Sequence, residues 1–276
     1  MSVVNTNIGA LNAQKALDIN TRHLTKAMGQ LSTGQRVISA ADDAAGLAIG
    51  NKMTSQIRSL NAAVRNANDG ISMLQTADGA TGQMTDMLIR MRELAIQSAN
   101  DTNDQDGRDA LQLEFAALQE EIGNTITNTT WNGMKVLEAE PGSGTAKFQV
   151  GASSADSIAL PLTSLNTSDV ATAIGSGTLI DSLANAQASL STIDDAMTQI
   201  NGERSTWGAT MNRLTYAADN AANVSMNSAA SRSRIMDTDY AQATAEMARA
   251  MILDQAGTAM LSQANQQPMY VLALLR

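Results

Sequence analysis

Residues 183–221 read LANAQASLSTIDDAMTQINGERSTWGATMNRLTYAADNA. Within them Leu183, Ala186, Leu190, Ile193, Met197, Ile200, Arg204, Trp207, Met211, Leu214, Ala218 and Ala221 recur in alternating steps of three and four. Such spacing is the seam of a helix that lies against a partner helix along its whole length. Only Arg204 interrupts the apolar character, and its long stem can follow the seam while the guanidinium reaches water. A matching stripe runs through Ile57, Leu60, Val64, Ala67, Ile71 and Leu74. It then steps three and three, through Ala77 to Ala80, before resuming at Met84, Met87, Met91 and Leu94. The skipped residue predicts local overwinding of the pair. Proline is absent from 42–140 and from 162–267, so both helices can run unbroken.

Between the two stripes the pattern changes. SANDTNDQDGRD (98–109) is rich in turn formers and ends the first rod. A shorter helix follows over about 105–127, with Leu111, Phe115, Leu118 and Ile122 on one face. TTWNGMKVL (129–137) places Asn132-Gly133 between strand-like flanks, which predicts a tight hairpin. AKFQV (146–150) and SIALPL (157–162) alternate around GASSAD and predict a second one. EPGSG, TSLNTSD and IGSGT have loop composition. The expected fold is mainly α: long antiparallel helical rods of coiled-coil type with a small β-hairpin region in the middle.

Composition supports thin packing. The chain of 276 residues holds two Trp, three Tyr and two Phe against sixteen Met, so alanine, aliphatics and methionine must fill the interior. It contains no cysteine and one histidine, His23, which excludes zinc-type Cys/His spacing and thiol chemistry. The adjacent acids Asp42/Asp43 and Asp194/Asp195 do not face each other on a helix. No phosphate-cradling glycine motif is present, so the residues point to neither an enzyme nor a bound cofactor. Net charge is −9, concentrated in residues 67–231, where seven Lys/Arg meet twenty Asp/Glu. An acidic middle with near-neutral ends excludes a nucleic-acid binder and reads as a solvated surface. There is no basic start followed by an apolar core of a secretory leader, and no apolar run of about 18 residues to span a membrane. On these rules alone the chain reads as cytosolic.

The ends carry a different message. Residues 3–33 and about 235–267 are amphipathic yet too few to make a core of their own, and YVLALLR (270–276) is an apolar tail. Both make sense if other subunits cover them. VISAADDAAGLAIGNKM (37–53) lies where the first terminal helix meets the first rod. Ser39 to Asp42 fits a capping box, with Ser39 as N-cap, and Asp42 and Asp43 suit the positive end of the helix. Gly46 and Gly50, one turn apart, each cost about 1 kcal/mol relative to alanine, which predicts a smooth strip for close backbone approach at a joint.

These stretches resemble the bacterial flagellins. The resemblance rests on NTNIGALNAQKAL (5–17), LSTGQRVISAADDAAGLAI (31–49), ANDGISMLQTADGA (67–80), MLIRMRELAIQSAND (87–101) and LSQANQQPMYVLALLR (261–276), in that order. It covers roughly 1–140 and 177–276. It implies an inner-tube domain from 1–40 with 235–276, an outer-tube domain from 41–140 with 177–234, and a variable region reduced to 141–176. It implies a subunit that polymerises into the flagellar filament for swimming, and export in the unfolded state by the flagellar type III system. The cytosolic reading then gives way to an extracellular one.

The same resemblance implies partners and sites. The partners are further copies of the chain, an export chaperone, and the filament cap and hook-junction proteins. Polymerisation and chaperone binding would use Met247, Met251, Met260, Leu261, Leu272, Leu274, Leu275 and Arg276. The joint between the tube domains would comprise Ser39, Asp42, Asp43, Gly46 and Gly50. Arg90, Arg92, Glu93, Leu94, Ile96 and Glu114 match the patch by which many flagellins are recognised by Toll-like receptor 5, with Ile89 where the family usually has Gln. A subunit contact is the plainer use of that patch. A hook–filament junction protein and a carbohydrate-binding surface flagellin are the alternatives. The strong central signatures favour the filament, and Phe148 stands alone where a sugar platform would need more aromatics.

Overall fold

The computed structural model describes residues 6–273, with side-chain surroundings for 6–266. Of the C-terminal segment named above, Leu274, Leu275 and Arg276 lie outside the described residues, as does the side chain of Leu272. Among the described residues, six α-helices and two small hairpins follow in the order α1 (Ile8–Thr33), α2 (Ala44–Ser98), α3 (Gln105–Asn128), β1 (Thr130–Trp131), β2 (Met134–Lys135), β3 (Thr145–Gln149), β4 (Ser157–Pro161), α4 (Asp169–Ile174), α5 (Leu183–Met236) and α6 (Tyr240–Ala273). The fold class is the expected one. The chain divides into two compact units, Met1–Ile57 with Met226–Arg276, and Arg58–Ser225.

In the second unit the α5 stripe is present but turned. Ala186, Ile193, Ile200, Trp207, Leu214 and Ala221 are buried, one full row of the predicted seam. The alternate row is not Leu190, Met197 and Met211, which are only partly buried, but their predecessors Ser189, Ala196 and Thr210. Small residues there let neighbouring elements approach. The hydroxyl of Ser189 donates to the Leu179 carbonyl at 2.7 Å, so a polar residue lines the seam without an orphaned group. Arg204 reaches outward to Asp78 on α2, Nε to Oδ1 at 2.7 Å, with both side chains more than a third exposed.

The α2 stripe carries a parallel correction. Its inner row runs Leu74, Ala77, Thr81, Met84, Leu88, Met91, Ala95 and Ser98, with all eight buried and steps of three and four throughout. The expected skip at Ala80 is therefore absent. Thr81 fills the place that an apolar count passes over, because its hydroxyl donates to the carbonyls of Ala77 and Asp78 at 3.0 Å. Likewise Leu88, not Met87, faces inward.

The short elements close this core. α3 is capped by Asp104, whose side chain accepts from the Gly107 N–H, and it buries Phe115, Gln119, Ile122 and Ile126. Gln119 donates through Nε2 to the carbonyls of Ala173 and Thr178 at 3.0 Å, fixing the segment after α4. Asn132 (φ 49°) and Gly133 (φ 78°) form the tight turn between β1 and β2, in the left-handed region that an Asn-Gly pair favours. β3 pairs antiparallel with β4, Phe148 opposite Ile158. The Phe148 ring packs onto α2: a Cβ added at Gly70 would come within 2.8 Å of it. The stretch expected to be loop also hides Leu165, Val170 and Ala173 completely.

The first unit has a much thinner interior. α1 and α6 run antiparallel, tied by Asn7 Nδ2 to the Ala264 carbonyl and Asn20 Nδ2 to the Ala250 carbonyl, both at 2.7 Å. Small residues set their spacing: Ala27, Ala243 and Ala250 are buried, and a Cβ at Gly257 would meet Leu17 at 3.1 Å.

Candidate assembly faces and the turn that orders them

Within the first unit, two chain reversals are stitched together. Gly34 ends α1 with φ 70°, and its N–H donates to the Gln30 carbonyl at 2.9 Å. Gln35 then bridges Asp237, the Arg36 N–H donates to the Met236 carbonyl at 2.6 Å, and the Thr238 N–H donates to the Gly34 carbonyl at 3.0 Å. The Tyr240 hydroxyl donates to the Leu31 carbonyl, and the Gln30 amide to that of Arg36. Val37 is buried beneath these contacts. The connection 34–43 is thus ordered by backbone pairing with the segment between α5 and α6.

The capping reading of Ser39 needs correction. Asp42 does reach back to Ser39: its Oδ2 accepts from the Ser39 N–H and hydroxyl at 3.1 Å and from the Ile38 N–H at 3.3 Å. That ring closes a free-standing turn, because α2 begins only at Ala44. The N-cap is Asp43, whose Oδ1 accepts from the Gly46 N–H at 2.8 Å. Asp42 also binds Lys26 of α1, Nζ to Oδ1 at 2.9 Å, so one carboxylate holds the turn and ties it to α1. Lys26, with the Ser39 donors, lowers the Asp42 carboxyl from the ordinary 3.8 to about 2. A lowered folded value stabilises above the ordinary one and is lost as pH falls through the folded one. Acidification between pH 3.8 and about 2 should therefore release this turn. An NMR titration of the Asp42 side chain should show the low midpoint, and Lys26→Met should move it up; a midpoint near 3.8 in the intact chain would show that the contact does not form in solution.

The glycines also act differently from the expected backbone strip. At Gly46 an added Cβ would sit 2.3 Å from the capping carboxylate of Asp43, while at Gly50 it would meet the Met236 sulfur at 2.5 Å and its Cγ at 2.7 Å. Both approaches are to side chains, and only Gly50 joins two elements. Gly50→Ala gains about 1 kcal/mol in helix propensity but overpacks a buried methionine, which costs about 1–3 kcal/mol. The expected result is a lower melting temperature in the parent chain and little or no further loss when Gly50→Ala is added to Met236→Ala. An equal loss in both backgrounds would separate Gly50 from Met236.

Apolar side chains remain uncovered on both helices of the pair. α1 exposes Ile8, Leu11, Ile19 and Met28; α6 exposes Met251, Ile252, Leu253 and Met260. Met247 and Leu261 are half-buried. In the other unit, Arg90 is exposed and binds Glu114 of α3, Nε to Oε1 at 2.8 Å, and Glu93 at 3.1 Å. These two acids raise the Arg90 guanidinium further, and Asp194, 2.7 Å from Arg92, does the same there. Leu94 does not belong to the surface assigned to it: it is fully buried in the core, beside Met91 and Ala95 of the inner row. Ile96 is exposed, as are Ile89 beside Arg90 and Leu113 beside Glu114. Leu113 was missed because a leucine next to a predicted helix face is ordinarily read as part of it.

Residues 4–141 match the bacterial flagellin N-terminal helical region, and residues 190–275 match the C-terminal helical region. A flagellin of Halalkalibacterium halodurans is 44% identical over 99% of this chain and 100% of its own length. The crystal structure of Bacillus cereus flagellin is 31% identical and superposes with a TM-score of 0.51 over 57% of this chain and 88% of that one. A Vibrio parahaemolyticus structure described as a flagellar hook-associated protein shares the fold, with a TM-score of 0.59 over 71% of this chain at 14% identity. With both terminal regions matched and a full-length relative so close, this chain belongs to the bacterial flagellin family.

Proposed function

We propose that the chain is the structural subunit of a flagellar filament, polymerising with copies of itself and serving swimming motility outside the cell. The observation that carries this is the two-helix pair α1/α6. It buries little more than alanines, yet displays Ile8, Leu11 and Ile19 on one helix and Met251, Ile252, Leu253 and Met260 on the other. Exposed apolar surface of that extent marks an interaction face, and repetition of one heterologous contact generates a filament. The full-length match to a flagellin supports the filament over the hook-junction alternative.

The finer parts of the reading go with this proposal. The inner-tube domain would be 1–40 with 235–276 and the outer-tube domain 41–140 with 177–234, joined at Ser39–Gly50, with 141–176 in place of larger outer domains. The chain would leave unfolded through the flagellar type III channel, its C-terminal segment held beforehand by a chaperone, and would meet cap and hook-junction proteins at the filament ends. Arg90, Glu93, Ile96 and Glu114 would form a subunit contact that an innate receptor could also read. Electron microscopy of the purified protein under polymerising conditions tests the central claim: filaments are expected, and a persistently monomeric full-length chain would overturn it.

A further inference from the structure

Two Asn-Gly pairs occur in this chain, and the fold treats them in opposite ways. Asn201-Gly202 lies in the middle of α5, where the Gly202 amide is held in the helical ladder. Asn132-Gly133 forms an exposed turn between strands of two residues each. The Gly133 N–H donates to no group among the described residues, and nothing lies within 4 Å of the place a Cβ would take. A hairpin of that size opens at little cost. The three Asp-Gly pairs, at 69–70, 78–79 and 106–107, are all helical.

We propose that Asn132 is a site of spontaneous covalent modification, in which the Gly133 amide cyclises onto the Asn132 side chain. The amide nitrogen, losing its proton to solvent base, attacks Cγ of Asn132. The new N–Cγ bond forms as the Cγ–Nδ2 bond breaks, and Nδ2 leaves as ammonia after taking a proton from water. Water then opens the five-membered imide at either carbonyl, giving aspartate or isoaspartate. No oxidant or cofactor enters. Glycine at the second position makes the cyclisation fastest, because any side chain there would crowd the attacking nitrogen. The product adds one negative charge to an exposed hairpin tip. As isoaspartate it also lengthens the backbone by one carbon, which breaks the pairing of Trp131 with Met134.

The full-length chain is incubated at mildly alkaline pH, once in native buffer and once in denaturant, and both asparagines are followed by peptide mass spectrometry that distinguishes isoaspartate. In native buffer, conversion at Asn132 should exceed that at Asn201 by on the order of tenfold or more, because local opening of a small hairpin is far easier than opening a helix interior. In denaturant the two should convert at similar rates, and Gly133→Ala should suppress conversion at Asn132 in both conditions. An Asn132 as inert as Asn201 in native buffer overturns the proposal. So does a Gly133→Ala chain that converts as fast as the parent.

Discussion

Removal of residues 1–40 and 235–276 should leave a soluble, helical monomer that forms no filaments. Every residue of the large hydrophobic cluster lies within 64–218, from Val64 to Ala218, so the cut takes nothing from it. The segments removed carry α1 and α6, whose exposed apolar side chains have no cover within the monomer. Circular dichroism should show retained helix with cooperative melting, sedimentation a single monomeric species, and electron microscopy no filaments. Filaments from the truncated chain would place the decisive contacts elsewhere. A point change separates loss of the face from loss of the helices: Ile252 is 66% exposed, so Ile252→Asp removes little from the monomer. In the filament it would bury an unpaired carboxylate, which is strongly unfavourable. Full helicity with no polymer is the expected outcome for that variant too.

Different parts of this molecule were legible in the sequence to different degrees, for physical reasons. The rods were readable because two helices must pack along one another, and only a repeated apolar step of three and four satisfies that. The Asn132-Gly133 turn was readable because its positive φ values suit few other residues. Register within the rods was less accessible. Thr81, Ser189 and Thr210 occupy buried seam positions that an apolar count rejects, and Thr81 and Ser189 do so by hydrogen-bonding to nearby carbonyls. The start of α2 was displaced for a related reason: Ser39 and Asp42 have the chemistry of a cap, and they spend it on a turn that Lys26 holds against α1. That ion pair spans separate elements and no local pattern announces it. Leu94 shows the opposite error, since the family motif gives it a surface role while its own heptad row assigns it to the core.

The turned seam on α5 yields the second large expected effect. Ile193 and Leu190 lie three apart and both belong to the predicted stripe, but Ile193 is fully buried whereas Leu190 is partly exposed. Truncating a buried aliphatic to alanine removes its transfer free energy and leaves a cavity, a cost of about 2–5 kcal/mol. A partly exposed leucine forfeits less buried area, and water fills the space it vacates. Ile193→Ala should therefore lose about 2–5 kcal/mol and Leu190→Ala less than half as much, measured by denaturant unfolding with matched m-values. The comparison is best made on the 41–234 fragment, where no polymer competes with unfolding. Equal losses at the two positions would restore the row through Leu190, Met197 and Met211 as the packed one. A large loss at Leu190 with little at Ile193 would rotate the α5 seam away from Ser189, Ala196 and Thr210 altogether.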